Sequence, residues 1–237
     1  MTRLLLASDF DGTLAPIREQ PEEVAIDPEA LALLRTASTR DGVEVALISG
    51  RDVDDLRRRA DGLRAWYSGS HGQEIVAPDG AKVRTGTPWK GLPPRSWLDR
   101  ATGAGLRLEP KKFGVALHWR GIPRIDTDHP LVVEFERWAE GEGLSIIRGR
   151  CVSEASAGGG SKENVLRVLA ARTGAGRIVY AGDDLTDFPA LAFAAAHGRA
   201  FLVSSEERAE DPPRGVERVR SREELLRSFE NVLEELT

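Results

Sequence analysis

Leu4-Leu5-Leu6-Ala7-Ser8-Asp9-Phe10-Asp11-Gly12-Thr13-Leu14 joins an apolar run to a pair of carboxylates. The apolar residues predict a buried strand. Asp9 and Asp11, two apart in extended chain, leave the same face of it. Gly12 lets the backbone bend, and Thr13 adds a hydroxyl. Two carboxylates on one turn repel each other, so the turn calls for a cation or a shared proton.

Working outward, the same alternation repeats. Strand 3–8 is followed by Asp27-Pro28, an N-cap with proline in the first helical turn. Leu31, Leu34 and Ala37 then recur at helical spacing to about Thr39. Residues 43–48 predict a second strand closed by Ser49-Gly50-Arg51, 52–60 a polar helix, and 65–68 a third strand leading into Gly69-Ser70-His71-Gly72. Strand, helix, strand, helix, strand is the signature of a parallel sheet with helical crossovers.

The pattern then changes. Pro88, Gly91, Pro93 and Pro94 crowd a linker, and residues 106–108 and 114–120 alternate like strands with one covered face. A helix over 128–140 and strands over 144–147 and 151–154 complete an α+β insert. Gly158-Gly159-Gly160 ends it, a run suited to a hinge. Beyond it the alternation returns: a helix capped by Ser161 and running to about Arg172, a strand over 177–181, a helix over 187–196 and a strand over 200–203. Ser221 and Glu224 then form a capping-box pattern before a last helix. The expected architecture is α/β, a Rossmann-like parallel-sheet core (1–87 and 158–237) with an inserted α+β cap domain (88–157).

Composition excludes several classes. Of 237 residues, 41% are hydrophobic and 30% charged, which is globular composition. The net charge of −5, with no long basic block, argues against nucleic acid as a partner. No apolar stretch approaches the roughly 20 residues of a membrane span. Cys151 is the only cysteine, so no internal disulfide can form. A cytoplasmic monomer acting on a small molecule is expected. Arginine supplies nearly all the positive charge, and only five lysines occur: Lys82, Lys90, Lys111, Lys112 and Lys162.

In a parallel sheet the strands' carboxyl ends share one edge, where ligands bind. Asp9/Asp11, Ser49 and the run Gly182-Asp183-Asp184-Leu185-Thr186-Asp187 each follow such a strand, and Lys162 opens the helix after the hinge. Taken singly, Ser49-Gly50 reads as a turn and Lys162 as a solvated helix residue. Together they supply a nucleophile with an acid/base neighbour, a hydroxyl donor, a cation and a second acidic cluster.

This ordered set resembles the haloacid dehalogenase superfamily of phosphatases: D-x-D-G-T-L, then S-G-R, a lone Lys, and G-D-D-x-x-D. The chain resembles the trehalose-6-phosphate phosphatase family more closely still. That likeness extends to Ala15-Pro16-Ile17, to Gly69-Ser70-His71-Gly72-Gln73-Glu74 and to the insert run Lys111-Lys112-Phe113-Gly114-Val115-Ala116-Leu117-His118-Trp119-Arg120.

The resemblance implies roles. Asp9 attacks phosphorus and Asp11 serves as acid, then base. Mg²⁺ is held by the Asp9 carboxylate, the Asp11 carbonyl and Asp183, with Asp184 and Asp187 ordering the shell around it or contacting Lys162. Ser49, Gly50 and Lys162 bind the phosphoryl oxygens. The cap closes over the site and reads the sugar through Lys112, His118, Arg120 and Glu154, with Arg51, His71 and Glu74 contributing from the core. Lys111 and Lys112 are adjacent, so on a strand only one faces inward, and Lys112 is the choice. His118 fits a satisfied strand histidine equally well.

Two departures stand out. The family follows its cap glutamate with an Arg-Pro pair, where this chain has Ser156-Ala157, and it carries glycine after the lysine, where this chain has Glu163. The expected reaction is hydrolysis of trehalose 6-phosphate to trehalose and phosphate. Another sugar or glycosyl-acid phosphate is the alternative substrate, since a bidentate donor is lost. A catalytically silent sugar-phosphate-binding domain is the alternative of another class, and it predicts loss of a catalytic group that this sequence retains.

Overall fold

The computed structural model describes residues 3–18, 23–149, 151–158, 160–204 and 211–236. The glycine run read as a hinge includes Gly159, which lies outside the described residues. The chain divides into two compact units, residues 1–85 with 160–237, and 86–159.

In chain order, the first segment carries β1 (Arg3–Ser8), α1 (Pro28–Ala37), β2 (Val43–Ile48), α2 (Val53–Arg59), β3 (Trp66–Gly69), β4 (Glu74–Val76) and β5 (Lys82–Thr85). The insert carries α3 (Arg95–Gly103), β6 (Arg107–Lys111), β7 (Gly114–His118), α4 (Pro130–Gly141), β8 (Ser145–Gly149) and β9 (Val152–Ser156). The last segment adds α5 (Lys162–Thr173), β10 (Ala175–Gly182), α6 (Phe188–His197), β11 (Gly198–Val203), β12 (Glu217–Val219) and α7 (Arg222–Glu234).

The larger unit is built on one sheet in the order β12-β11-β10-β1-β2-β3-β4-β5. From β12 to β3 every pairing is parallel. β1 lies at the centre of the sheet, between β10 and β2, and helices cover both its faces, which explains its unbroken apolar sequence. Leu4 and Leu6 pack with Leu34 of α1, Leu56 of α2 and Phe229 of α7, while Leu5 and Ala7 pack with Val165 and Leu169 of α5 and Leu191 of α6. Each buried leucine contributes on the order of 1.5–3 kcal/mol.

Register brings the chemistry together. Ser8, the last residue of β1, pairs with Ala181 on one side and Leu47 on the other. The residues that follow each of these, Asp9, Asp183 and Ser49, therefore emerge along a single sheet edge.

The sheet is longer than the sequence predicted. β4 and β5 add two antiparallel strands beyond β3, and β12 pairs with β11 at the other edge. All three are short, which leaves little alternation to read. In the insert, α3 lies between the linker over 88–94 and the strand expected from 106, a stretch with no element expected from the sequence. Pro94 is its N-cap, and Trp97 and Ala101, four apart, bury its inner side.

The insert's sheet has the order β6-β7-β9-β8, antiparallel throughout. Val115, Leu117 and Ala155 pack with Trp97 of α3 and Phe135 of α4. Strand alternation then puts the neighbouring positions, Ala116 and His118 of β7 and Glu154 and Ser156 of β9, on the opposite face. Register adds Arg107, Glu109 and Lys111 of β6 to it.

Candidate active site

Asp9 is the first residue beyond β1, and its N–H still donates to Ala181 O at 2.8 Å. The backbone then turns: the Leu14 and Ala15 N–H groups both return to Phe10 O, and Gly12 adopts φ of 84°. A methyl group on Gly12 would lie 2.2 Å from Asp183 Oδ2, so the missing side chain is what lets Asp183 reach this turn.

Lys162, the first residue of α5, is 5% exposed yet charged. Its ammonium donates to Asp9 Oδ1 at 2.6 Å and to Asp187 Oδ1 at 2.7 Å. Burial alone would lower its proton affinity, but Asp187 and Asp9 outweigh burial and raise it above the ordinary lysine range. It stays protonated. Burial pushes Asp9 well above the ordinary carboxylate range. Asp187 and Asp183 add to that rise, and Lys162 opposes it.

Asp187 has no exposed surface. Its Oδ1 also accepts from Tyr180 Oη at 2.5 Å, and its Oδ2 accepts from the Asp184 N–H at 3.0 Å. Tyr180 is itself pushed well above the ordinary phenol range, by burial and then by Asp187. Asp184 accepts from the Leu185 N–H through its side chain.

Carboxylate oxygens of Asp9, Asp183 and Asp187 all lie within 4.8 Å of one another, a group able to hold a metal ion. The donors are hard oxygens and the cluster is buried, which suits a small divalent cation. Three donors occupy three of the roughly four lone-pair sites of the Asp187 carboxylate, and its Oδ1 anchors Lys162.

Ser49 is buried, and its Oγ accepts from the Arg51 N–H at 3.1 Å, leaving the hydroxyl hydrogen to donate elsewhere. A methyl group on Gly50 would meet His71 Nε2 at 2.5 Å, so the imidazole packs on this loop. Ser70 and His71 both adopt positive φ, 48° and 54°. Two such residues in succession are strained, and ties from Ser70 N to Arg51 O and from His71 N to Ser49 O hold them there. Glu74 is buried opposite Gly69 on β4.

Arg51, expected at the sugar by resemblance, bonds two carboxylates of the larger unit. Nε donates to Asp11 Oδ2 at 2.8 Å, Nη2 to Asp11 Oδ1 at 2.7 Å and Nη1 to Asp55 Oδ2 at 2.9 Å. Burial would lower its proton affinity, but Asp11 and Asp55 raise it.

On the insert, Lys111 Nζ donates to Glu154 Oε2 at 2.7 Å, while the exposed Lys112 holds its ammonium 5.2 Å from the Phe113 ring centre. Lys111, and not the Lys112 expected from the sequence, is thus the lysine seen bonded to Glu154. Lys111 is the last residue of β6, in phase with Glu109, whereas Lys112 lies in the tight turn to β7. His118 Nε2 lies 2.7 Å from Glu109 Oε2, and this hydrogen bond is the main cause holding Glu109 below its ordinary range. Arg120 lies past the end of β7 and is exposed.

Sequence reasoning missed Tyr180, Asp55 and Glu109. Tyr180 reads as one more apolar residue of a buried strand, Asp55 as part of a polar helix, and Glu109 falls just past the strand expected over 106–108. The available signal for Glu109 was its even spacing from Lys111 and its nearness to His118 in a hairpin. No helix among the described residues is long and apolar enough to cross a membrane.

Comparison with known proteins gives the same picture. An uncharacterized glycosyl hydrolase of Mycobacterium tuberculosis is 34% identical over 198 residues, 76% of this chain and 14% of that protein. A trehalose-phosphate phosphatase of Mycobacterium tuberculosis is 32% identical over 207 residues, 82% of this chain and 52% of that protein. The chain thus spans about half the length of the trehalose-phosphate phosphatases it matches. Among solved structures, a trehalose-6-phosphate phosphatase related protein superposes with a TM-score of 0.72 at 22% identity, over 98% of this chain and 100% of the other. The C-terminal domain of a trehalose-6-phosphate phosphatase of C. albicans gives 0.69 at 17% identity, over 98% and 92%. These two establish the fold. The family model described as trehalose-phosphatase matches residues 7–209, and the chain belongs to that family.

Proposed function

We propose that this chain is a Mg²⁺-dependent phosphatase that hydrolyses trehalose 6-phosphate to trehalose and phosphate. The observation that carries the reading is the buried ammonium of Lys162, held between Asp9 and Asp187 at one sheet edge. It marks where a phosphoryl group can be bound beside a carboxylate.

Asp9 attacks phosphorus, the bond to the sugar oxygen breaks, and Asp11 gives that oxygen its proton. Water then attacks the aspartyl phosphate, Asp11 takes the water's proton, and the bond to Asp9 breaks to restore the carboxylate. Lys162, the Ser49 hydroxyl and the Gly50 N–H hold the phosphoryl oxygens as their charge develops. Bound by Asp9, Asp183 and the Asp11 carbonyl, Mg²⁺ supplies positive charge against the repulsion between these carboxylates and the phosphate. His71, packed on Gly50, and Glu74 support this loop. On the insert, Lys111 and Glu154, with His118 and Glu109, supply paired donors and acceptors for sugar hydroxyls.

A related glycosyl phosphate is the second reading, favoured by Ser156-Ala157 standing where the family carries Arg-Pro. Phosphate release with Mg²⁺ from trehalose 6-phosphate, glucose 6-phosphate, sucrose 6-phosphate and glycosyl-acid phosphates separates the two. A dominant kcat/KM on trehalose 6-phosphate supports the first, and a dominant value on another sugar replaces it.

A further inference from the structure

We infer that Arg51 is a positioning residue for the proton-transfer carboxylate rather than a substrate contact. The inference rests on Asp11 being the acid and base of the proposed reaction. The guanidinium meets Asp11 as a fork, one N–H to each carboxylate oxygen at 2.8 and 2.7 Å. A bidentate pair fixes the plane of a carboxylate as well as its place. Each oxygen keeps a second lone pair, so Asp11 can still carry or accept a proton on the side away from Arg51.

Arg51 is pinned from behind. Asp55 Oδ2 accepts from Arg51 Nη1 at 2.9 Å and from Arg59 Nε at 2.7 Å, and Arg59 Nη1 in turn donates to Val24 O at 2.6 Å. The Arg51 side chain is 14% exposed, against 37% for Asp11. The fork is therefore the sheltered member, and the carboxylate is the one presented outward. Arg51 is also two residues from Ser49 and donates its own N–H to the Ser49 hydroxyl. One loop thus aims the phosphoryl-binding hydroxyl and, through the fork, the acid.

The test uses aryl phosphates that carry no sugar, from p-nitrophenyl phosphate to phenyl phosphate and poorer leaving groups, with Mg²⁺. The slope of log kcat/KM against leaving-group pKa reports protonation of the departing oxygen. Asp11→Asn should steepen that slope. Arg51→Gln should steepen it in the same direction, losing on the order of 10-fold more on phenyl than on p-nitrophenyl phosphate. Arg51→Lys, which cannot fork, should fall between. Asp55→Asn, which keeps Arg51 and removes its outer pin, should steepen the slope less and serves if Arg51→Gln does not fold. A wild-type slope in Arg51→Gln or, should that variant not fold, in Asp55→Asn, beside a steep one in Asp11→Asn, overturns the inference alone. An unchanged slope in Asp11→Asn overturns the acid assignment, and the role of Arg51 with it.

Discussion

Lys162 and Asp9, 153 positions apart in sequence, meet at 2.6 Å in a buried ion pair. The pair is tight because the ammonium also answers Asp187, which has no exposed surface. One cation thus serves two buried carboxylates, with Asp183 close by. The cluster carries excess negative charge before any phosphate arrives.

That imbalance gives opposite stability effects at its two ends. Lys162→Ala should destabilise the protein by about 3–5 kcal/mol, since it strands buried carboxylates without their cation. Asp9→Asn removes a negative charge from an overcharged cluster and should leave the metal-free melting temperature unchanged or raised. Thermal melts in a chelating buffer check both. Equal losses in the two variants would contradict the charge argument.

Tyr180→Phe removes one of three donors to Asp187 without touching substrate or metal. Loosening the anchor of Lys162 should lower kcat by about 10-fold, as is typical of groups that orient a reacting shell. Steady-state kinetics and circular dichroism decide the point. Full activity would show that Asp184 N–H and Lys162 hold Asp187 unaided.

The insert offers a paired comparison. Lys111→Ala breaks the contact to Glu154 and should lower kcat/KM for trehalose 6-phosphate by at least about 10-fold, with p-nitrophenyl phosphate little affected. Lys112→Ala, over the Phe113 ring, should change both by less than twofold. The reverse ranking would assign the sugar contact to Lys112.

Glu136 of α4 is held below the ordinary carboxylate range by its bonds to Arg148, against burial, with Ser153 adding to the effect. Its folded pKa is depressed, so the stability it contributes is present above the unfolded glutamate pKa of about 4.3 and lost as pH falls through the folded value. Glu136→Gln should cost about 1–3 kcal/mol at neutral pH and converge with wild type in acid. Chemical denaturation at several pH values checks this. A difference that does not shrink in acid would assign the effect to packing.

These expectations mark what the sequence made legible. β1 and β2 were readable because strands covered on both faces are written as mostly apolar runs, unbroken over residues 4–7 and interrupted only by Glu44 in β2. Asp9, Ser49 and Asp183 followed because a parallel sheet collects what comes after each strand. Pair partners were not readable. The fork of Arg51 on Asp11 depends on a side-chain path between loops 40 residues apart, and alternation alone cannot say which of two adjacent lysines is in phase until the end of β6 is known. Tyr180 looked like core because most of it is, and only its hydroxyl reaches the site.

On the proposed reaction, Asp9 carries the phosphoryl group between the two steps. Acid quenching during turnover, followed by mass spectrometry of the peptide containing Asp9, tests it most directly. A peptide heavier by one phosphoryl group, located on Asp9 and absent from Asp9→Asn, is the predicted result. Full steady-state turnover by Asp9→Asn, or the phosphoryl group on another residue, would contradict it.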